Sequence, residues 1–113
     1  MSLLVLAPAV FAGKTVDRVV GTVASGTTGG QFNSPRGVAV NDATADANGT
    51  DNWFYVADGS NHRIQAFNAA GVFQWAIGRN VIDPAATTDT DLGDVFEKCT
   101  TAADCKNGSA GTS

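Results

Sequence analysis

Within six consecutive positions the sequence places a carboxylate, a carboxamide, an imidazole and a guanidinium, on Asp58, Asn61, His62 and Arg63. Two chemistries follow from that spacing. In one, His62 is a general base or a metal ligand and Asp58 orients its ring. In the other, Asp58 accepts N–H bonds from the turn Gly59-Ser60-Asn61, while His62 and Arg63 tie that turn to a neighbouring layer of structure. His62 is the one histidine of the chain, so this sequence does not build a multi-histidine metal centre by itself.

The other chemically capable groups are weaker. The loop from Asp42 to Asp51 holds three aspartates with Asn48 and Gly49. Aligned as a twelve-residue calcium loop on Gly49, it has Asp46 and Asn48 at positions three and five, but Thr44 and Tyr55 where carboxylates are required. PAVFAGKT (8–15) imitates the end of a phosphate-binding loop, but Pro8 replaces its first glycine and the following VDRVV is strand-like rather than helical. Trp53, Tyr55 and Trp75 have the makings of a sugar-stacking platform, although aromatics at strand spacing serve more commonly as core. No serine sits in a G-x-S-x-G elbow and Glu97 is the single glutamate, so neither a Ser/His/Asp hydrolase nor a carboxylate pair has local support. Cys99 and Cys105 lie six positions apart in CTTAADC, a segment too polar to hold a buried free thiol, and the spacing predicts a disulfide. Closing so short a loop stabilises by about 2 kcal/mol on the chain-entropy model. Asn48-Gly49-Thr50 and Asn107-Gly108-Ser109 fit the glycosylation pattern.

Positioning these residues falls to strands. Of the 113 residues 43% are hydrophobic and 16% charged, and helix formers are scarce beside Gly, Thr, Val, Asn and Asp. This vocabulary excludes an all-helical fold and predicts an all-β one. A net charge of −4 with seven scattered basic residues argues against nucleic-acid binding, which needs clustered Lys and Arg. VDRVVGTV (16–23) reads as a strand and ASGTTGGQFNSPRG as a glycine-rich connector. Residues 37–41, 53–58, 63–68 and 72–78 are four short apolar runs separated by turn signals, an antiparallel meander in sequential order. Its expected core is Val38, Val40, Phe54, Tyr55, Val56, Ile64, Phe67, Phe73, Trp75 and Ile77. Beyond Asn80 periodicity fails, leaving Val95-Phe96 as the single strand-like fragment.

The ordered sub-motifs of residues 29–78 are GQF before a proline, P-x-G-V-A-V, Y-V-A-D, N-H-R-I-Q-x-F and G-x-F before a closing strand. They resemble an NHL repeat, whose name-giving tripeptide stands here as Asn61-His62-Arg63. The likeness spans one complete repeat, and residues 42–52 form an insertion where such repeats turn tightly. The resemblance implies one four-stranded blade of a β-propeller at 37–78, flanked by a strand and connector at 13–36 and by an irregular inter-repeat linker at 79–113. In such repeats the positions of Asp58, Asn61, His62 and Arg63 recur from blade to blade, which favours scaffold duty. No catalytic residue, metal ligand or cofactor is therefore assigned, and replacing His62 by Gln is expected to cost stability. The function implied is a non-catalytic, exported segment of a propeller that binds a protein, peptide or glycan. The alternatives are a blade of a propeller enzyme, such as an amidating lyase, whose metal ligands lie on other blades, and a short subunit that self-assembles into a ring.

Residues 1–12, MSLLVLAPAVFA, are apolar and uncharged, and as a helix span about 18 Å, too short for a hydrocarbon core of about 30 Å. Val10 and Ala12 form a small-residue cleavage site, so the segment reads as an export signal without its basic start, with a buried first strand as the alternative, and the mature chain as one without a membrane span. A bacterial secreted or cell-surface protein is the expectation. One blade has two apolar faces, and the sequence offers no evident layer for either. Leaving about 1,000 Å2 of apolar face in water forgoes about 25 kcal/mol of burial, beyond the net stability of an ordinary domain at about 5–15 kcal/mol. The chain is thus read as the amino-terminal part of a longer propeller, dependent on further blades.

Overall fold

A computed structural model describes residues 19–22, 24–42, 47–87, 89 and 95–111. The expected export segment 1–12, the phosphate-loop mimic 8–15 and the first part of the flanking strand 16–23 lie outside them, as do residues 43–46 of the calcium-like loop. The described part of that flanking run, 19–22, is not in a strand.

The protein is all-β. Five strands, β1 (Pro35–Val40), β2 (Phe54–Asp58), β3 (Arg63–Phe67), β4 (Phe73–Arg79) and β5 (Phe96–Cys99), form one open antiparallel sheet in the order β1-β2-β3-β4-β5. The four expected strands appear within one or two residues of their sequence bounds. A single 3-10 turn, Gly59–Asn61, occupies the expected tight turn between β2 and β3, and a second, Ala102–Asp104, follows β5.

The fifth strand is a correction. Residues 79–113 are not wholly irregular, because Phe96–Cys99 pairs with β4 through Ala76↔Cys99, Ile77↔Lys98, Gly78↔Glu97 and Arg79↔Phe96. Phe-Glu-Lys-Cys carries two charges in four residues and lacks an apolar run. It joins the sheet because β4 offers a ladder edge and because Glu97 finds an inward partner, the backbone N–H of Ile82 at 2.9 Å.

Directly paired residues in an antiparallel sheet share a face, and the register sorts the side chains into two. Val38, Val56, Gln65, Ala76 and Cys99 form a row across one face. The row of Asp58, Arg63, Gly78 and Glu97 lies on the same side, as does that of Val40, Phe54 and Phe67. This face is covered by the chain's own connector, residues 26–33, and by the tail after β5. Phe67, 1% exposed, is the hub there: its ring lies 5.1 Å from Phe54, 5.6 Å from Phe32 and 6.1 Å from Phe73. A second cluster, Ala76, Val81, Ile82, Cys99 and Cys105, closes the β5 side.

The opposite face carries Gly37, Ala39, Tyr55, Ala57, Ile64, Ala66, Trp75, Ile77 and Lys98. Of these Ala66 alone is buried. Of the blade core expected from sequence, three residues lie at the surface of this chain: Val38 (67% exposed), Val40 (59%) and Ile64 (43%). Val38 and Val40 stand on the edge strand β1, all six residues of which are exposed, and Ile64 points to the open face. Val56 and Phe67 are buried as expected, and Phe54, Tyr55, Phe73, Trp75 and Ile77 are half-buried. Against the expectation that nothing in the chain covers either face, one face is covered by the connector and tail; among the described residues no segment lies over the other.

Candidate functional site

Three of the four clustered polar residues converge inside the covered face, with a fourth that the sequence reading passed over. Asp58 ends β2, Asn61 closes the 3-10 turn, and Arg63 and Gln65 point inward from β3; all four are buried. Asp58 accepts four hydrogen bonds. Its Oδ1 takes the backbone N–H of Asn33 at 2.7 Å, and its Oδ2 takes Asn61 Nδ2 at 2.9 Å, Arg63 Nε at 2.9 Å and Gln65 Nε2 at 3.0 Å.

Arg63 has five N–H donors, and each finds an acceptor. Nε donates to Asp58, Nη1 to the carbonyls of Thr27 and Lys106, and Nη2 to those of Thr28 (3.0 Å) and Gln31 (2.9 Å). Burial pushes the guanidinium below its ordinary pKa, and the hydrogen bond and charge of Asp58 oppose that shift. Gln65 works as a two-way clamp on the connector: Nε2 donates to the Gln31 carbonyl at 2.6 Å and Oε1 accepts from Gly30 N–H at 2.8 Å. Asn61 Nδ2 also donates to the Gly26 carbonyl at 2.8 Å. Together these bonds lace residues 26–33 onto the sheet, 25 to 36 positions away in sequence. Gln65 carried a signal of its own, as the polar residue sharing a face with Phe67 in RIQAF.

His62 is set apart. It is exposed, its backbone sits in the left-handed region (φ 50°, ψ 45°), and its N–H donates to the Gly59 carbonyl at 3.2 Å. The ring does not enter the Asp58 network, so an Asp58–His62 catalytic pair does not form. Within this chain its contribution is a backbone geometry that lets the chain leave the turn and enter β3. Among the described residues no three His, Cys, Asp or Glu side chains gather as a metal centre.

Cys99 and Cys105 are bonded, with Cα atoms 5.7 Å apart, and both are buried. On the open face Tyr55 and Trp75 lie 5.8 Å apart and tilted by 42°, and the Lys98 ammonium sits 5.2 Å from the Trp75 ring centroid, a cation–π contact. Beside Tyr55 the small residues Gly37, Ala39 and Ala57 leave an apolar hollow of about 270 Å3, further lined by Val38 and Ile64. The polar network is thus saturated and enclosed, and the open face beside it is mainly apolar, with Lys98 over Trp75.

Compared with family models, curated proteins and solved structures, the chain matches none. Among the described residues no helix is long and apolar enough to cross a membrane.

Proposed function

We propose that this chain is one blade of an exported, non-catalytic β-propeller of the NHL-repeat kind, and that its open sheet face packs against a neighbouring blade. The observation that carries this reading is the sidedness of the sheet. One face is covered from β2 to β5 by the chain's own connector and tail, with only the edge strand β1 left exposed, while the other presents a mainly apolar surface with a hollow beside Tyr55. A repeat unit that buries one face alone and leaves the other for its neighbour is the building principle of stacked-repeat folds. The NHL-like sub-motifs and the four-strand meander agree with it, and the disulfide agrees with an oxidising compartment. The assembled ring would then bind a protein, peptide or glycan on a loop face, because the saturated Asp58–Arg63 network offers a reactant no open position.

Light scattering combined with apolar-dye binding on the purified chain tests the reading. The expected result is concentration-dependent association that Ile64→Lys weakens, together with dye binding at low concentration. A monodisperse monomer with a sharp thermal transition and no dye binding would overturn it.

A further inference from the structure

The loop closed by the disulfide is a junction of three segments. Ala102, inside the loop, offers its carbonyl to Gly29 N–H of the connector at 2.8 Å. Cys105 bridges Ile82 in antiparallel pairing, Lys106 N–H donates to the Val81 carbonyl at 2.8 Å, and Asp83 N–H donates to the Asp104 carbonyl at 2.7 Å. The Lys106 carbonyl then accepts from Arg63 Nη1 at 3.0 Å, while Gly108 N–H reaches the Asn61 carbonyl and Ser109 N–H the Arg79 carbonyl, each at 2.7 Å. Connector and tail therefore meet twice, directly at Gly29–Ala102 and through the shared guanidinium of Arg63, and the disulfide pins Cys105 of the tail back against the end of β5.

We propose that the Cys99–Cys105 bond is a redox latch on the cover of the Asp58–Arg63 network. Oxidation closes residues 100–109 and 26–33 onto the sheet as one unit, and reduction releases both together while β1–β4 stay paired. The inference rests on these contacts and is independent of the blade reading. In closing, each thiol gives up a proton and the two sulfurs pass two electrons to a disulfide oxidant of low molecular weight, oxidised glutathione for example, whose own S–S bond is cleaved to two thiols. Opening is the reverse exchange with a dithiol. The two cysteines are only 1% and 3% exposed, so an attacking thiolate reaches a sulfur when the cover lifts. The rate of reduction thus measures local opening of the cover.

Amide hydrogen exchange on the full chain, oxidised and after reduction by dithiothreitol, tests this. Expected is strong protection of the Gly29, Gly30, Lys106, Gly108 and Ser109 amides when oxidised, lost in concert on reduction, while the β2–β3 ladder keeps its protection. The double variant Cys99→Ser/Cys105→Ser should reproduce the reduced pattern without reductant. Ladder and cover exchanging together would show a mere global stabiliser, and a cover still protected after reduction would show a bystander; either overturns the proposal. A second variant leaves the cysteines intact. A methyl group on Gly29 would lie 2.7 Å from the Ala102 Cα atom and 2.8 Å from the Phe73 ring, so Gly29→Ala prises the connector from the disulfide loop. It should speed reduction of the oxidised protein by about tenfold. An unchanged reduction rate in that variant would also refute the coupling.

Discussion

Asp58 Oδ2 and Arg63 Nε stand 2.9 Å apart at directly paired positions of β2 and β3, and neither side chain has any contact with solvent. A buried ion pair is weak support for stability when it stands alone, because two charges have left water to make it. Here the carboxylate accepts three further bonds and the guanidinium donates four further ones, so the pair is the centre of a saturated network.

Truncating Asp58 to Ala removes the counter-charge from a guanidinium that cannot reach water. Urea denaturation should show a loss of about 3–5 kcal/mol. Replacing both partners, Asp58→Leu with Arg63→Met, should not restore stability. The carbonyls of Thr27, Thr28, Gln31 and Lys106 then lose their donor, and a deficit of about 2 kcal/mol or more should persist. Full recovery in the double variant would mean that the pair acts alone.

His62 behaves as a backbone position. His62→Gly should stabilise by about 0.5–1 kcal/mol, the relief of left-handed strain less the added freedom of the unfolded chain. His62→Val should destabilise by about 1–2 kcal/mol, and His62→Gln should stay within about 0.5 kcal/mol. Thermal melts of the three variants check the order. A Gln variant as damaged as the Val variant would point to a role for the ring.

Two strand glycines should respond oppositely to a methyl group. At Gly78 an added Cβ would lie 2.7 Å from Val81 Cγ1 and 2.8 Å from the His62 carbonyl oxygen, whereas at Gly37 it meets nothing within 4 Å. Gly78→Ala should lower the denaturation midpoint by the equivalent of about 1–3 kcal/mol. Gly37→Ala should leave it unchanged or raise it slightly.

The two Asn-Gly pairs should age differently. Succinimide formation needs the glycine nitrogen to attack the asparagine side-chain carbonyl and expel ammonia. Asn48 lies in an exposed turn with open space around Gly49, but the Gly108 N–H is held by the Asn61 carbonyl at 2.7 Å in a buried position. Peptide mapping after incubation at mildly alkaline pH should find deamidation at Asn48 well ahead of Asn107. The reverse order would mean that the tail does not hold Gly108 as described.

The four strands of the meander were legible because their apolar runs are long and cleanly punctuated. β5 was not, since its inward residues are Glu97 and Cys99, and a buried carboxylate held through one oxygen by a main-chain N–H leaves no mark in a hydropathy pattern. Orientation was the harder problem. Ile64 and Gln65 alternate as a strand requires, yet the apolar residue faces outward and the polar one is fully buried. The pattern located both faces, and the connector 26–33 decided which was covered. Asp58, Asn61 and Arg63 stood out as a cluster from their types and spacing. Their partners in the covering segments were invisible, being backbone groups 25 to 43 positions away that bind whatever side chain they carry.

Arg63 recognises a route and is indifferent to spelling. The oxygens that meet its two terminal nitrogens belong to peptide units, so Thr27, Thr28, Gln31 and Lys106 can be exchanged for other residues without changing what the guanidinium meets, provided the chain still passes the same points. Mutational tolerance along the two covering segments should therefore be governed by shape: wide latitude in residue type, almost none for an inserted or deleted residue. A library randomising positions 27, 28 and 106 should retain many folded members, while moving the frame by a single residue should lose nearly all of them.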